Sequence, residues 1–149
     1  EIYTRSIVGS VRCVLETGIV MSREKDIRFA KARALIETGQ FEDAKKEFVF
    51  ISGVREWRGE ITSGCLYHLA VIEEKQGKLQ EAVVLHQRNI VAWKRHERWV
   101  AKSYLAAADL LAKLGQRDAA RQTLQEMLSK DRVKDTPEAQ EARSRLTRI

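Results

Sequence analysis

The sequence has few of the residues that interrupt helices or form tight turns. Its 149 residues contain one Pro and eight Gly, which argues against a turn-rich β-sandwich or barrel. No stretch approaches the ~18 consecutive apolar residues of a membrane-spanning helix, so we expect no membrane span. Apolar residues make up 44% of the chain and charged residues 32%, a balance that excludes a disordered chain. The length fits one domain or one repeat array.

Motifs for catalysis or metal binding are also missing. The two cysteines, Cys13 and Cys65, form no C-x-x-C pair, and we expect two buried free thiols, with one disulfide as the alternative. The histidines, His68, His86 and His96, have no carboxylate or cysteine at ligand spacing. There is no H-E-x-x-H, P-loop or G-x-S-x-G motif. We therefore expect no enzyme, no metal and no cofactor.

Positive charge is in excess, with 27 Lys and Arg against 21 Asp and Glu, a net charge of +6. This excess would permit contact with nucleic acid or an anionic surface. Both signs are interleaved along the chain, however, which is typical of solvated helix faces. The chain begins at Glu1 without Met or a signal-like apolar segment, so we expect a processed chain or part of a longer protein.

A threefold internal repeat is the strongest feature of the sequence. Residues 39–44 read Gly-Gln-Phe-Glu-Asp-Ala, and residues 77–82 and 115–120 resemble them at intervals of 38 residues. A fixed period of this size indicates a repeat array. Each copy has one turn glycine and two small residues: Gly39, Gly77 and Gly115; Ala32, Ala70 and Ala108; Ala44, Ala82 and Ala120.

Each repeat is predicted to form two helices. Between Arg98 and Leu114 the apolar residues recur mostly at spacings of three and four, as on one face of a helix. Gly115 then ends this helix, and a second apolar face follows from Ala120 to Leu128. The same plan predicts helices near 23–38, 41–52, 59–76 and 79–94. Alanine in matched columns suits helices that cross closely.

These columns, with a bulky column of Phe48, His86 and Leu124, resemble the tetratricopeptide repeat family. The resemblance implies an all-α fold, an α-solenoid of three helical hairpins in a right-handed superhelix with an extra helix at each end. The period of 38 exceeds the common 34 and resembles the longer repeats of kinesin-light-chain-like and LGN-like scaffolds. The units are predicted at about 25–58, 59–96 and 97–134. Arg28, Lys31 and Glu73 depart from the apolar pattern.

The two ends of the chain are predicted to add one helix each. Residues 1–21 are interpreted as an N-terminal helix near 3–16, as the remnant of a preceding repeat would be, with a strand as the alternative. At the other end, Thr136 can cap a helix that has Pro137 in its first turn. This helix, within 136–148, is predicted to cap the array, because a repeat array needs a terminal element with a polar outer side.

The resemblance also implies a binding face. In such arrays the first helix of each unit lines a concave surface that holds the ligand. Nine residues form three matched rows there: Phe29, Arg33 and Glu37; Tyr67, Val71 and Lys75; Leu105, Asp109 and Lys113. An ordinary solvated stripe is the alternative. Because the Lys and Asn of the family's carboxylate clamp are absent from these columns, we expect no binding of chaperone tails.

A second candidate is the stretch 88–100, which contains the basic residues Arg88, Lys94, Arg95 and Arg98. Aromatic residues among cations can stack bases and neutralise phosphates. We prefer the interpretation that Trp93 and Trp99 fill the space between units two and three, with the charges as the solvated rim. His86, in the bulky column, is expected to be packed and hydrogen-bonded.

The sequence thus predicts a non-catalytic scaffold that binds a peptide or partner domain in a concave groove. One alternative is a regulatory or self-associating domain of a larger protein, which would include a homo-oligomer. A nucleic-acid-binding accessory module is the alternative of a different class. The compartment is left open.

Overall fold

The computed structural model describes residues 23–148, which form seven α-helices and no strand. The helices are α1 (23–37), α2 (Phe41–Gly53), α3 (Glu60–Lys75), α4 (Leu79–Ala92), α5 (Glu97–Lys113), α6 (Arg117–Ser129) and α7 (Pro137–Leu146). A short 3-10 turn, Arg55–Trp57, precedes α3. The helix predicted near 3–16 and Cys13 lie outside the described residues.

The helices stack as three hairpins, α1–α2, α3–α4 and α5–α6. Each helix from α2 to α7 packs against the next one along the chain, and α5 also contacts both α3 and α7. We call α1, α3 and α5 the first helices and α2, α4 and α6 the second helices. The second helices begin at Phe41, Leu79 and Arg117, 38 residues apart. The predicted all-α solenoid is confirmed.

The three turn glycines end the first helices in the same way. Gly39, Gly77 and Gly115 have φ of 77°, 79° and 79°, the left-handed region in which a side chain would be strained. At the last of them, Gly115 N donates to Ala112 O (3.0 Å) and Gln116 N to Leu111 O (2.8 Å). This is the Schellman arrangement, which pairs carbonyls that the helix end leaves free.

The small-residue columns bring the helices close together. Ala32, Ala70, Ala44, Ala82 and Ala120 are completely buried, and Ala108 is nearly so. The bulky column is buried next to them at Phe48, His86 and Leu124. One apolar core surrounds Phe48 at the first hairpin, and a larger core surrounds Leu124 from α4 to α7.

Charged residues that depart from the apolar pattern are held by ion pairs between helices. Glu47 on α2 accepts hydrogen bonds from Arg28 Nη1 (3.0 Å) and Lys31 Nζ (2.7 Å) on α1. Glu73 on α3 lies 2.8 Å from Lys45 Nζ on α2. The carboxylates of Glu47 and Glu73 are mostly buried, and their hydrogen bonds to lysine are the largest cause of the lowered pKa of each.

The predicted C-terminal cap is present as α7. Its first turn contains Pro137, and Ala139 N donates to Thr136 Oγ1 at 3.3 Å. Ala139 and Ala142 are buried against α5 and α6. Helix α7 therefore closes the larger core at the end of the array. Among the thiols, Cys65 is fully buried, as expected, and burial raises its pKa to about 12.

Candidate functional site

The first helices α1, α3 and α5 lie side by side and carry the nine residues predicted for the binding face. Four of the nine are half-buried, Phe29, Tyr67, Val71 and Leu105, and five are exposed, Arg33, Glu37, Lys75, Asp109 and Lys113. The apolar members therefore form the floor of this face and the charged members its surface. We call it the first-helix face.

An aromatic cluster forms one end of the first-helix face. The His68 ring stacks on Phe48, with centroids 5.4 Å apart and an interplanar angle of 7°. Phe29 and Trp99 meet His68 edge-on, each at 5.4 Å. Tyr67 lies 5.5 Å from Trp99. The cluster thus joins α1, α3 and α5, since each helix supplies at least one ring.

Trp99 is the residue that reaches furthest across this cluster. It is 6% exposed and packs on Gly64 of α3 and on Phe29 of α1, at a centroid distance of 5.9 Å. The expectation that Trp93 and Trp99 together fill the space between units two and three was therefore wrong in part. Trp93 is half-buried and lies against His96 at the α4–α5 turn. Trp99 instead spans all three first helices.

A cavity of about 300 Å³ opens beside Phe29 and Trp99, at the amino-terminal ends of α1, α3 and α5. Ile61 adds to its apolar lining, and two cations and two carboxylates also line it: Lys25, Arg98, Asp26 and Glu60. The guanidinium of Arg98 lies 5.0 Å from the Trp99 ring, a distance at which the ring attracts a cation. This cavity can take one apolar side chain of a ligand.

The other end of the first-helix face is charged and partly paired. Lys113 Nζ donates to Glu74 Oε1 at 2.7 Å, joining α5 to α3. Arg145 of α7 pairs with Asp109 of α5. Two of the nine predicted residues, Lys113 and Asp109, therefore tie α5 to its neighbouring helices. Arg33, Glu37 and Lys75 are exposed on the same face.

Titratable groups on this face respond to charges from several helices. Burial, with the nearby charges of Arg33 and Lys102, lowers the pKa of His68 to about 4. Burial, with the carboxylates of Glu74 and Glu138, raises the pKa of Tyr67. Glu138 belongs to α7, so side chains from α3 and α7 face a common space. The histidine of the cluster is accordingly neutral at pH 7.

His86 is packed in the core, as expected, but the hydrogen bond predicted for it is not found within residues 23–148. It is fully buried, and neither ring nitrogen has a partner among residues 23–148. The tilted ring of Tyr67 lies 5.4 Å away. Burial lowers the pKa of His86 to about 4, against a smaller opposing effect of Glu74. Burying a polar group without a hydrogen bond costs free energy on folding.

A buried hydrogen-bond chain behind the first-helix face was not predicted. Ser63 Oγ donates to Asn89 Oδ1 at 2.8 Å, and Asn89 Nδ2 donates to Ser103 Oγ at 2.9 Å. All three side chains are fully buried. They lie on α3, α4 and α5, so the chain fixes how the second hairpin meets the third. The signal in the sequence was the presence of these polar residues on helix faces that are otherwise apolar.

The four basic residues predicted in the stretch 88–100 have different surroundings. Arg98 lies over Trp99 at the first-helix face. Lys94 and Arg95 instead line a different cavity, between the ends of α4 and α6, and Arg88 is exposed on α4. The basic patch of these four residues stays a prediction.

Two further features bear on the class of site. Between residues 23 and 148 no three side chains of the His, Cys, Asp and Glu types lie close enough to hold a metal ion. None of the helices in that range is long and apolar enough to cross a lipid bilayer.

Comparison with known proteins agrees with this architecture. The sequence model of the tetratricopeptide repeat family matches residues 101–131, which comprise most of α5 and all of α6. Residues 101–131 are therefore similar to a tetratricopeptide repeat. The family predicted from the glycine and alanine columns is thereby confirmed. Its assignment to the longer-period variety stays a prediction.

A solved structure has the same fold. The chain is similar to the type III secretion translocator chaperone SycD of Yersinia enterocolitica, with a TM-score of 0.65. The two share 20% sequence identity over 86% of this chain and 91% of that one. No curated protein sequence matches the chain.

Proposed function

We propose that this protein is a non-catalytic scaffold that holds an extended peptide segment of a partner protein on its first-helix face. The observation that carries the proposal is the cavity beside Phe29 and Trp99, which opens where α1, α3 and α5 meet. The same face carries further half-buried apolar residues, Tyr67, whose ring lies 5.5 Å from that of Trp99, and Val71. Apolar floors with a few polar groups are usual for binding sites.

The charges around the floor indicate the chemistry of the peptide. Arg33 and Lys75 are exposed on the face, and Lys102 lies over the edge of the aromatic cluster, 5.1 Å from the Trp99 ring. Two of the nine face residues are acidic. Asp109 is paired with Arg145, and Glu37 is exposed. A peptide that places one bulky apolar side chain in the cavity, and its carboxylates further along the face near Arg33 and Lys75, would satisfy both the cavity and these cations.

The similarity to SycD supports a protein ligand. That protein is a chaperone of type III secretion translocators, and a chaperone binds other polypeptides. The shared fold is a reason to propose a protein partner for this chain. The residues of the first-helix face determine which peptides would fit it. A role in holding a partner also agrees with the absence of a catalytic motif in the sequence.

The proposal is tested by selecting peptides from a random phage-displayed library on the wild-type protein and measuring the affinity of the best binder. We expect Arg33→Glu and Lys75→Glu each to weaken it about tenfold, a loss of about 1.4 kcal/mol. Arg121→Glu is the matched control, because Arg121 is exposed on the second helix α6. Its affinity should remain within twofold of the wild type. Equal loss in all three variants would indicate attraction by net charge and contradict the proposal.

A further inference from the structure

A second cavity lies between the second helices, away from the nine residues of the first-helix face. Its volume is about 520 Å³, within the range of small-ligand and side-chain pockets. The ends of α4 and α6, the start of α5 and the turn that follows α6 enclose it. We call it the α4–α6 cleft.

The floor of the α4–α6 cleft is apolar. Ile90, Val100, Tyr104 and Val133 line it, and the last three are almost fully buried. Val91 stands at the opening with 76% of its surface exposed, the largest value among the exposed apolar residues. An exposed valine beside an apolar floor leaves hydrophobic area that a ligand could cover.

The rim of the cleft is basic, and two of its cations have no ion-pair partner among residues 23–148. Lys130 and Arg132 lie 3.6 and 3.7 Å from carboxylates of Glu126 and Glu97. Lys94 and Arg95 also line the cleft, and no carboxylate of the part of the chain described lies within 4.0 Å of either. The cleft therefore presents two available positive charges beside an apolar floor.

The helix ends explain only part of this arrangement. Cations are stabilised near the carboxyl ends of helices by the helix dipole, and α4 and α6 both end at the cleft. That effect accounts for basic residues after each helix. It does not account for an exposed valine or for an apolar floor beneath the charges.

We propose that the α4–α6 cleft is a second docking site, which binds an acidic peptide segment of a partner protein through one bulky apolar side chain. The apolar side chain enters the cleft, and neighbouring carboxylates of the peptide pair with Lys94 and Arg95. Charge complementarity favours this occupant. The two carboxylates at the same cleft, Glu126 and Asp131, are each paired with a lysine, Lys130 and Lys134, so Lys94 and Arg95 are left to a short acidic segment. A phosphate backbone needs a longer continuous track of cations, which these carboxylates interrupt.

The test is fluorescence anisotropy with a labelled hexapeptide in which Leu-Phe is flanked by two Glu residues on each side. We expect Lys94→Glu with Arg95→Glu to weaken binding about tenfold, and Val91→Asp to weaken it at least fivefold. Two controls lie on the same helix outside the cleft: Val84→Asp, at a valine 54% exposed, and Arg88→Glu, at an exposed arginine. Both controls should bind within twofold of the wild type. Circular dichroism verifies that each variant is folded.

Four results would overturn the proposal. The first is no binding of the hexapeptide at millimolar protein, and the second is equal loss in cleft and control variants. The third is equal binding of a peptide in which Ser-Ser replaces Leu-Phe, since net charge would then suffice. The fourth is a different occupant, shown when Val91→Asp abolishes sedimentation with phosphatidylserine vesicles, or dissociates a dimer in light scattering, without affecting the hexapeptide.

Discussion

Trp99 packs so closely on Gly64 that a β carbon at position 64 would lie 2.9 Å from Cε2 of the indole. Phe29 approaches the same point at 3.0 Å. A glycine in the middle of a helix ordinarily weakens it by up to about 1 kcal/mol relative to alanine. Here the missing side chain is what allows the indole of α5 to lie across α3 and reach α1.

Gly64→Ala is therefore expected to destabilise the protein despite its favourable helix propensity. The added methyl group must displace the indole, and overpacking of this kind costs about 1–3 kcal/mol. Thermal unfolding followed by circular dichroism measures the change. Gly53→Ala is the matched control, because Gly53 ends α2 and a β carbon added there would have no other atom within 4 Å. If Gly64→Ala melted at or above the temperature of Gly53→Ala, the close packing would be refuted.

The Ser63–Asn89–Ser103 chain gives a second prediction. Asn89→Ala should lower the free energy of unfolding by about 2–4 kcal/mol, because it leaves two buried hydroxyl groups without their partner and opens a cavity. Gln87→Ala, at an exposed position on the same helix, should change it by less than about 0.5 kcal/mol. Urea unfolding measures both values. Similar effects of the two variants would show that the buried chain contributes nothing.

His86→Leu should stabilise the protein at pH 7. The imidazole is buried without a hydrogen-bond partner among the described residues, and Leu124 already occupies the corresponding position of the next repeat. Replacing the unpaired ring by an apolar side chain removes its desolvation cost, on the order of 1–3 kcal/mol. A melting temperature below that of the wild type at pH 7 would contradict this account.

The same histidine makes stability depend on pH. Its pKa is about 4 in the folded chain against an ordinary value of 6.5, so the unfolded chain binds the proton first as the pH falls. The free energy of unfolding should therefore decrease as the pH falls from about 6.5 to about 4. Its slope against pH is set by the difference in bound protons between the unfolded and the folded chain. His68, whose pKa is also lowered to about 4, acts in the same direction. His86→Leu should make the melting temperature less sensitive to pH over this range, and an unchanged slope would argue against it.

The ion pairs of Glu47 are expected to contribute less to the free energy of unfolding than the buried groups described above. Lys31→Ala should cost less than about 1 kcal/mol, because the Lys31 side chain is largely exposed. Glu47→Ala removes the partner of both Arg28 and Lys31. A double-mutant cycle of Glu47 with Lys31 should give a coupling free energy above zero at low salt that decreases at high salt. A coupling of zero at low salt would show that the pair does not stabilise the hairpin.

The repeat, its helix ends and its close helix crossings could be predicted from the sequence because local chemistry determines them. A residue with φ near 80° has to be glycine in most cases, so Gly39, Gly77 and Gly115 marked the helix ends. The alanine columns marked the close crossings for a similar reason. These features need no knowledge of which distant residues come together.

The interior of the candidate site could not be predicted to the same extent. Trp99 packs on residues of two other helices, and only the assembled array shows that its ring reaches α1. The lack of a partner for His86 among the described residues depends on every side chain around it, which periodicity does not reveal. Glu73 looked like a departure from the pattern, but Lys45 of the preceding hairpin supplies its counter-charge.

The central claim is that the peptide selected on the wild-type protein is held on the first-helix face. Amide chemical-shift mapping of the isotope-labelled chain with the peptide selected on the wild type tests it most directly. The account predicts the largest shifts on α1, α3 and α5, around Arg33, Val71 and the Phe29–Trp99 cavity. Shifts confined to α2, α4 and α6 would contradict it.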